Sequence, residues 1–341
     1  MNASDQASSG ARQPPGPGET WSLQVRIAAQ ALRPIARHTF VFQVHLAFGL
    51  YRPLRLQAPR LGAHLEAWLV DDFARAVRQL APRALSARVT FTPERLWGRV
   101  VAACLPPADD QAPTRLVFDA ATWQDRAPTA GGAWLERLFV VAHELAHPLL
   151  SPAATRPAGR ALAHQLAREL LTEYQANLLA DRAVLQQLTR AANDRTSRPV
   201  GLWHLAGERY RAALAQTLAQ AAQHWSELLE LSSPWAMSLE QPESGLLDSV
   251  HQVLTLLVHA QALADAVGGP DLLAAEDLRA LPVVQRYLAE PWRRWLAALR
   301  GQPFPWLGDD EALARQAESA LLEVWRRLGL EAAGPAGAGP D

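Results

Sequence analysis

Lysine is missing from this 341-residue chain, whose 33 basic residues are all arginine. Because 34 acidic residues oppose them, the formal net charge at pH 7 is only −1. A balance this close to neutral gives no overall electrostatic attraction to nucleic acid or to an anionic membrane surface. We therefore expect neither as a partner, and we attribute the lack of lysine to genome composition rather than to function.

Cysteine is almost as scarce, since Cys104 is the only one in the chain. A single cysteine excludes an internal disulfide framework, and without a CxxC pair there is no basis for a thiolate metal site. Cys104 lies in the apolar run 100–105. We interpret it as a small hydrophobic residue rather than a nucleophile.

Long hydrophobic runs are also missing. The longest candidate, residues 39–50, contains Gln43 and His45 and is too short to span a bilayer. The first 20 residues lack the basic segment and apolar stretch of a secretory signal. We therefore expect a cytoplasmic protein without a membrane partner. Residues 1–20 and 331–341 are rich in small residues and proline, which predicts disordered tails.

Alternating hydrophobic residues mark the first structured segment. Phe40, Phe42, Val44, Leu46 and Phe48 occupy every second position, a period that predicts a β-strand. A helix is the alternative, because the segment between two prolines is long enough for either structure.

The next segment of the chain has the apolar spacing of a helix. Apolar residues from Leu61 to Leu80 recur every three or four positions and predict an amphipathic helix ended by Pro82. Three short β-like runs at 88–92, 99–105 and 115–118 then predict a small, mostly antiparallel sheet. A second helix is predicted from about residue 133, a third over 161–189, and further helices with tryptophan anchors over 200–330.

The second of these helices carries the sequence His143-Glu144-Leu145-Ala146-His147. Histidines four apart lie one turn apart on the same helix face, where both imidazoles can bind one metal ion. Neutral imidazole nitrogen suits Zn²⁺. Glu144 is rotated by about 100° around the helix, so it is a poor ligand but can take a proton from a metal-activated water. We predict His143 and His147 as metal ligands and Glu144 as the general base.

A third ligand is needed, because zinc hydrolases use three protein ligands and one open position. The longer motif HExxHxxGxxH is not present, since Leu150 and Ala153 occupy the positions it requires. The next helix offers Glu169 and Glu173, four apart on one face. We favour Glu173 and keep Glu169 as the alternative, whose ordinary role would be that of a solvated carboxylate.

The segment Ala142-His143-Glu144-Leu145-Ala146-His147, together with Glu173-Tyr174-Gln175-Ala176-Asn177-Leu178-Leu179-Ala180, resembles the ImmA/IrrE family of metallopeptidases. The resemblance covers about residues 60–185. It implies a gluzincin-like zinc enzyme, with His143, His147 and Glu173 as ligands and Glu144 as the base, that acts on a regulatory protein. Pro148 departs from a regular ligand helix, and we expect the helix to kink or end there.

Taken together, these patterns predict a mostly helical α+β protein with two domains. A zincin-like metallopeptidase domain, with a small antiparallel sheet beside the HExxH helix, spans 21–195. An all-helical domain spans 200–330. The predicted activity is zinc-dependent hydrolysis of a peptide bond in a protein or peptide substrate. The alternative is a non-catalytic zinc-binding regulatory protein with a helical partner-binding domain. Candidates for stabilising the oxyanion are Tyr174, His164, His204 and Tyr210.

Overall fold

A computed structural model describes residues 21–57, 64–81, 94–95, 98–109, 112–124, 131–150, 162–193, 219, 242–266, 268–269, 271–301 and 311–329. Several predictions fall outside these ranges: the two tails, the β-like run 88–92, and the side chains of His204 and Tyr210.

A four-stranded mixed sheet forms the centre of the first part of the chain. Its strands lie in the order β1 (Ser22–Ile27), β2 (His64–Val70), β6 (Thr114–Asp119) and β5 (Ala102–Leu105). The first three are parallel, and only β5 runs antiparallel to its neighbour β6. A separate antiparallel pair joins β3 (Glu94–Arg95) and β4 (Gly98–Arg99). The prediction of a mostly antiparallel sheet was therefore wrong for the main sheet.

The predicted strand around Phe40 is in fact a helix, α1 (Pro34–Leu50). The core-facing residues are Phe40, Val44, Ala47 and Phe48, at helical spacing, whereas Phe42 is 59% exposed. The alternation is therefore coincidental, because only every second member of the alternating set faces the core. A short helix, α2 (Arg52–Gln57), follows.

The predicted helix over 61–80 is divided between two elements. Strand β2 takes the first part, and helix α3 (Phe73–Leu80) takes the second. Leu65, Ala67 and Leu69 on one face of β2 are at most 1% exposed, and Glu66 and Val70 on the other face are 6% exposed. A strand buried on both faces does not show a period of two. Asp72 begins α3 by accepting a hydrogen bond from the Arg75 backbone N–H at 3.0 Å, a typical N-cap.

Helices cover both faces of the sheet. Helix α3 packs on one face, where Phe73 and Val77 join Val117 in a buried cluster. On the other face Phe118 packs edge-on against Phe40 of α1 at 5.3 Å between ring centroids. Because adjacent residues of a strand point to opposite faces, Val117 and Phe118 anchor the two layers from one strand.

The predicted HExxH helix is α4 (Gly131–Leu150), which packs against α1 and β5. It contains Pro148 and continues to Leu150, so the helix does not end at the proline. Before it, a 3₁₀ turn (Ala120–Trp123) follows β6. The predicted third helix is confirmed as α5 (Leu162–Asn193).

Helices also form the rest of the described chain: α6 (Pro242–Ala266), α7 (Glu276–Arg279), α8 (Ala289–Arg300) and α9 (Glu311–Arg327). A short 3₁₀ turn (Leu272–Ala274) and a π-helical turn (Val284–Leu288) lie between them. The predicted tryptophan anchors Trp292, Trp295 and Trp325 are at most 7% exposed. The α+β, mostly helical class is confirmed.

The chain forms two compact units. Unit 1 comprises Met1–Arg156 and Leu179–Pro199, and unit 2 comprises Pro157–Leu178 and Val200–Asp341. The continuous helix α5 thus contributes to both. Among the described residues, no helix has the length and apolar character needed to cross a membrane.

Candidate metal centre

Backbone and side-chain contacts hold α4 in place within unit 1. The Tyr51 hydroxyl, directly after α1, donates a hydrogen bond to the carbonyl oxygen of Ala142 at 3.0 Å. The buried Gln43 amide donates to the Trp134 carbonyl oxygen and accepts from the Trp123 indole. Because two of these bonds are buried and the one to Trp134 is partly buried, they restrict rotation and sliding of the helix that carries the motif.

The two motif histidines face each other, as their spacing predicts. Their Nε2 atoms are 3.1 Å apart, and the ring centroids are 4.7 Å apart with the planes nearly perpendicular. Phe139, one turn earlier, stacks beside His143 at 6.0 Å between centroids. Both histidine side chains are partly exposed, whereas Glu144 is 7% exposed. The imidazoles therefore share one partly open location, next to a largely buried carboxylate.

Glu173 on α5 joins this pair. One ligand atom from each of His143, His147 and Glu173 lies within 4.8 Å of the other two, so the three residues could hold a metal ion. Among the described residues, this is the one group of three or more histidine, cysteine or carboxylate side chains whose ligand atoms lie this close together. Two nitrogens bound tetrahedrally to one zinc ion are about 3.3 Å apart, close to the separation of the two Nε2 atoms. Both the donor set and its spacing therefore fit a zinc ion.

Glu169, the alternative ligand, is not part of this cluster. Its side chain is 57% exposed, and its nearest carboxylate oxygen is 3.9 Å from Nε2 of His251. This surrounding is that of a solvated carboxylate beside a histidine, which contributes little to stability.

The contact between Glu173 and His259 was not predicted from the sequence. Nε2 of His259, on α6, lies 3.0 Å from Oε2 of Glu173. No spacing signals this pairing, because His251 and His259 are eight positions apart on α6, whereas Glu169 and Glu173 are four apart on α5.

Asn177 follows Glu173 by one helical turn, a position from which an amide could hold a ligand imidazole. Its side-chain nitrogen instead donates to the carbonyl oxygen of Glu173 at 2.7 Å. Asn177 is 1% exposed, so this bond satisfies a buried amide within its own helix.

Two oxyanion candidates have other partners. The Tyr174 hydroxyl donates to the carboxylate of Asp265, and His164 lies with Nδ1 2.8 Å from Oε2 of Glu318. Both residues are at most 5% exposed. These contacts are typical of buried structural groups.

Asp181 is a further acidic residue on α5, closer to its C-terminus than Glu169 and Glu173. Its side chain is 2% exposed, and burial raises the pKa of its carboxyl well above the ordinary value. Burial also raises the pKa of the nearby Tyr51 hydroxyl, and the negative charge of Asp181 adds to that effect. A carboxyl that favours its neutral form is poorly suited to bind a cation.

Comparison with protein-family models, with curated proteins and with solved structures finds no match for this chain.

Proposed function

We propose that the chain is a zinc-dependent metallopeptidase that hydrolyses a peptide bond in a protein or peptide substrate. The observation that carries the proposal is the convergence of His143, His147 and Glu173, with Glu144 next to the first of them on the same helix. Resemblance to the ImmA/IrrE family through these same residues supports it. A cytoplasmic location remains an expectation from the sequence.

Zinc is the metal that we assign to the cluster. Two imidazole nitrogens and one carboxylate oxygen form a donor set found in catalytic zinc sites, which keep a further position for water or substrate. When bound, zinc would polarise the scissile carbonyl and lower the pKa of a water molecule toward 7.

Glu144 supplies the proton transfer in this proposal. Its carboxylate accepts the proton of the attacking water, and the same carboxyl then gives that proton to the departing amine nitrogen. The residue is suited to this role because it lies one position after a ligand histidine and is largely buried. A carboxylate screened from bulk water does not exchange its proton freely during the reaction.

An extended substrate would fit beside strand β5. Within the described residues β5 is the last strand of the main sheet, and α4 packs against it. An edge strand can pair its backbone with an extended peptide, which would bring the peptide alongside the helix that carries the catalytic motif.

Replacing Glu144 by glutamine tests the activity. Purified wild type and Glu144→Gln, both with measured zinc content, would be incubated with a diverse peptide mixture, and new termini would be identified by mass spectrometry. We expect equal zinc content and cleavage reduced by about 100- to 10,000-fold, the range for loss of a general base. Glu136→Gln, an exposed glutamate on the same helix, should cleave like the wild type.

Two results would count against the proposal. If Glu144→Gln cleaves as fast as the wild type, the base is misassigned. If the wild type binds one zinc ion but cleaves nothing in this mixture or in extracts of its own cells, the non-catalytic zinc-binding alternative is favoured.

A further inference from the structure

We propose that His259 is a positioning residue for the metal ligand Glu173, and that helix α6 therefore contributes to metal binding without supplying a ligand. This inference rests on the proposed function, because it takes Glu173 as a ligand. It concerns residues of unit 2 alone, since both side chains belong to that unit.

Hydrogen-bond distance distinguishes this contact from its neighbour. Helices α5 and α6 place two acid–histidine pairs side by side, Glu169 with His251 and Glu173 with His259. The first pair is separated by 3.9 Å, beyond a hydrogen bond, and the second by 3.0 Å. His259 makes the close contact. Its partner Glu173 is also the carboxylate that lies near the two imidazoles of α4.

A carboxylate can bind a metal and accept this hydrogen bond at once. It has two oxygens with about four acceptor positions. The cluster of mutually close donor atoms contains Glu173 but not His259. We therefore assign to His259 a hydrogen bond to the ligand rather than a bond to the metal.

The benefit for metal binding is preorganisation. A glutamate side chain has three rotatable torsions, and fixing them on binding costs conformational entropy. The His259 imidazole holds one oxygen of the carboxylate before the metal arrives, so less freedom is lost when it binds. Partners of this kind that contact metal ligands typically change metal affinity by about 10- to 100-fold when removed.

The experiment measures zinc affinity directly, without any substrate. Metal-free wild type, His259→Leu and His259→Gln would compete with a chromophoric chelator for Zn²⁺ alone. Leucine fills a similar volume but donates no hydrogen bond, whereas the glutamine amide can donate one to the carboxylate. We expect leucine to raise the Kd for zinc by about 10- to 100-fold, and glutamine to restore affinity to within about threefold of the wild type.

The matched control is His251→Leu, a histidine two turns earlier on the same helix with the same 22% side-chain exposure. Its zinc affinity should stay within about twofold of the wild type. Circular dichroism and thermal unfolding of the metal-free variants check that all of them remain folded. Should His259→Leu not fold, His259→Thr, which is too short to reach Glu173, replaces it in the same assay.

The outcomes separate this inference from the function it rests on. If the wild type binds no zinc, the proposed metallopeptidase is wrong. If the wild type binds zinc, and His259→Leu binds it equally tightly or His251→Leu weakens it as much, the positioning role is overturned while the metal site stands.

Discussion

Two acidic side chains of helix α5, Glu173 and Asp181, lie in contrasting surroundings. Asp181 is almost fully buried, and burial raises the pKa of its carboxyl. Glu173 keeps 29% of its side chain exposed and contacts His259. A metal-binding carboxylate must lose its proton. The contrast therefore shows that position along a helix is not sufficient for a ligand, and that the surroundings of each carboxyl decide its role.

The largest effect expected from this comparison is on metal affinity. Glu173→Gln should raise the Kd for zinc by more than about 100-fold, because loss of a ligand exceeds the 10- to 100-fold effect of losing a ligand's partner. Asp181→Asn should change the Kd by less than about threefold. Chelator competition measures both, with Glu169→Gln as an exposed control on the same helix. Equal losses for Glu173→Gln and Glu169→Gln would contradict the ligand assignment.

The next effect concerns stability as a function of pH. The folded-state pKa of Asp181 is raised, so the folded protein binds this proton more tightly than the unfolded chain does. The resulting stability is fully present below the unfolded-state pKa of about 3.9 and is lost as pH rises toward the folded-state value. Asparagine is neutral at every pH. We therefore expect the free energy of unfolding of Asp181→Asn, relative to wild type, to increase from pH 4 upward.

Denaturant unfolding of both metal-free proteins between pH 4 and pH 8 would measure this difference. Each tenfold change in the proton dissociation constant between the two states corresponds to about 1.4 kcal/mol. A difference that does not vary with pH would show that Asp181 titrates in the folded protein as it does in the unfolded chain.

Glu66 of β2 provides the opposite case. Burial alone would raise the pKa of its carboxyl, but hydrogen bonds from Arg26 and Trp68 and the charges of Arg26 and Arg115 hold that pKa below the ordinary value. The stability from this group is present above the unfolded-state pKa of about 4.3 and is lost as pH falls through the folded-state pKa. These two buried acids of unit 1 thus differ because arginines lower the pKa of Glu66, whereas burial raises that of Asp181.

Glu66→Gln should lower the free energy of unfolding at pH 7 by about 1.5–3 kcal/mol, the range for hydrogen bonds to charged groups. The loss should shrink as the pH falls below 4, in contrast to the trend for Asp181→Asn. The same denaturant series, extended down to pH 3, checks it. An effect of the same size at pH 3 and pH 7 would show that the carboxylate charge is not what Arg26 and Arg115 stabilise.

The metal-binding elements were predictable because their signals are local. The motif of α4 and the helix that carries Glu173 follow from spacings within single helices, and both helices are present. The apolar spacing was misinterpreted in α1, which was predicted as a strand, and in β2, which was predicted as a helix. Both segments have apolar residues on several sides, so their spacing fits a helix and a strand. In both cases tertiary burial decides the structure, and the pattern alone does not report which residues are covered.

The contact of His259 with Glu173 could not be derived in the same way. The two residues are 86 positions apart in the sequence. The sequence pattern of neither helix determines which other helix will pack against it. The parallel pairing of β1, β2 and β6 was missed for a related reason. β1 was not predicted at all, and parallel neighbours are joined through long connections rather than through short turns.

Proline within α4 affects the backbone of the proposed base. Because the Pro148 nitrogen carries no hydrogen, the bond that position 148 would donate to the carbonyl oxygen of Glu144 cannot form. The proline ring thereby removes one helical hydrogen bond from the turn that carries the residue to which we assign the proton transfer.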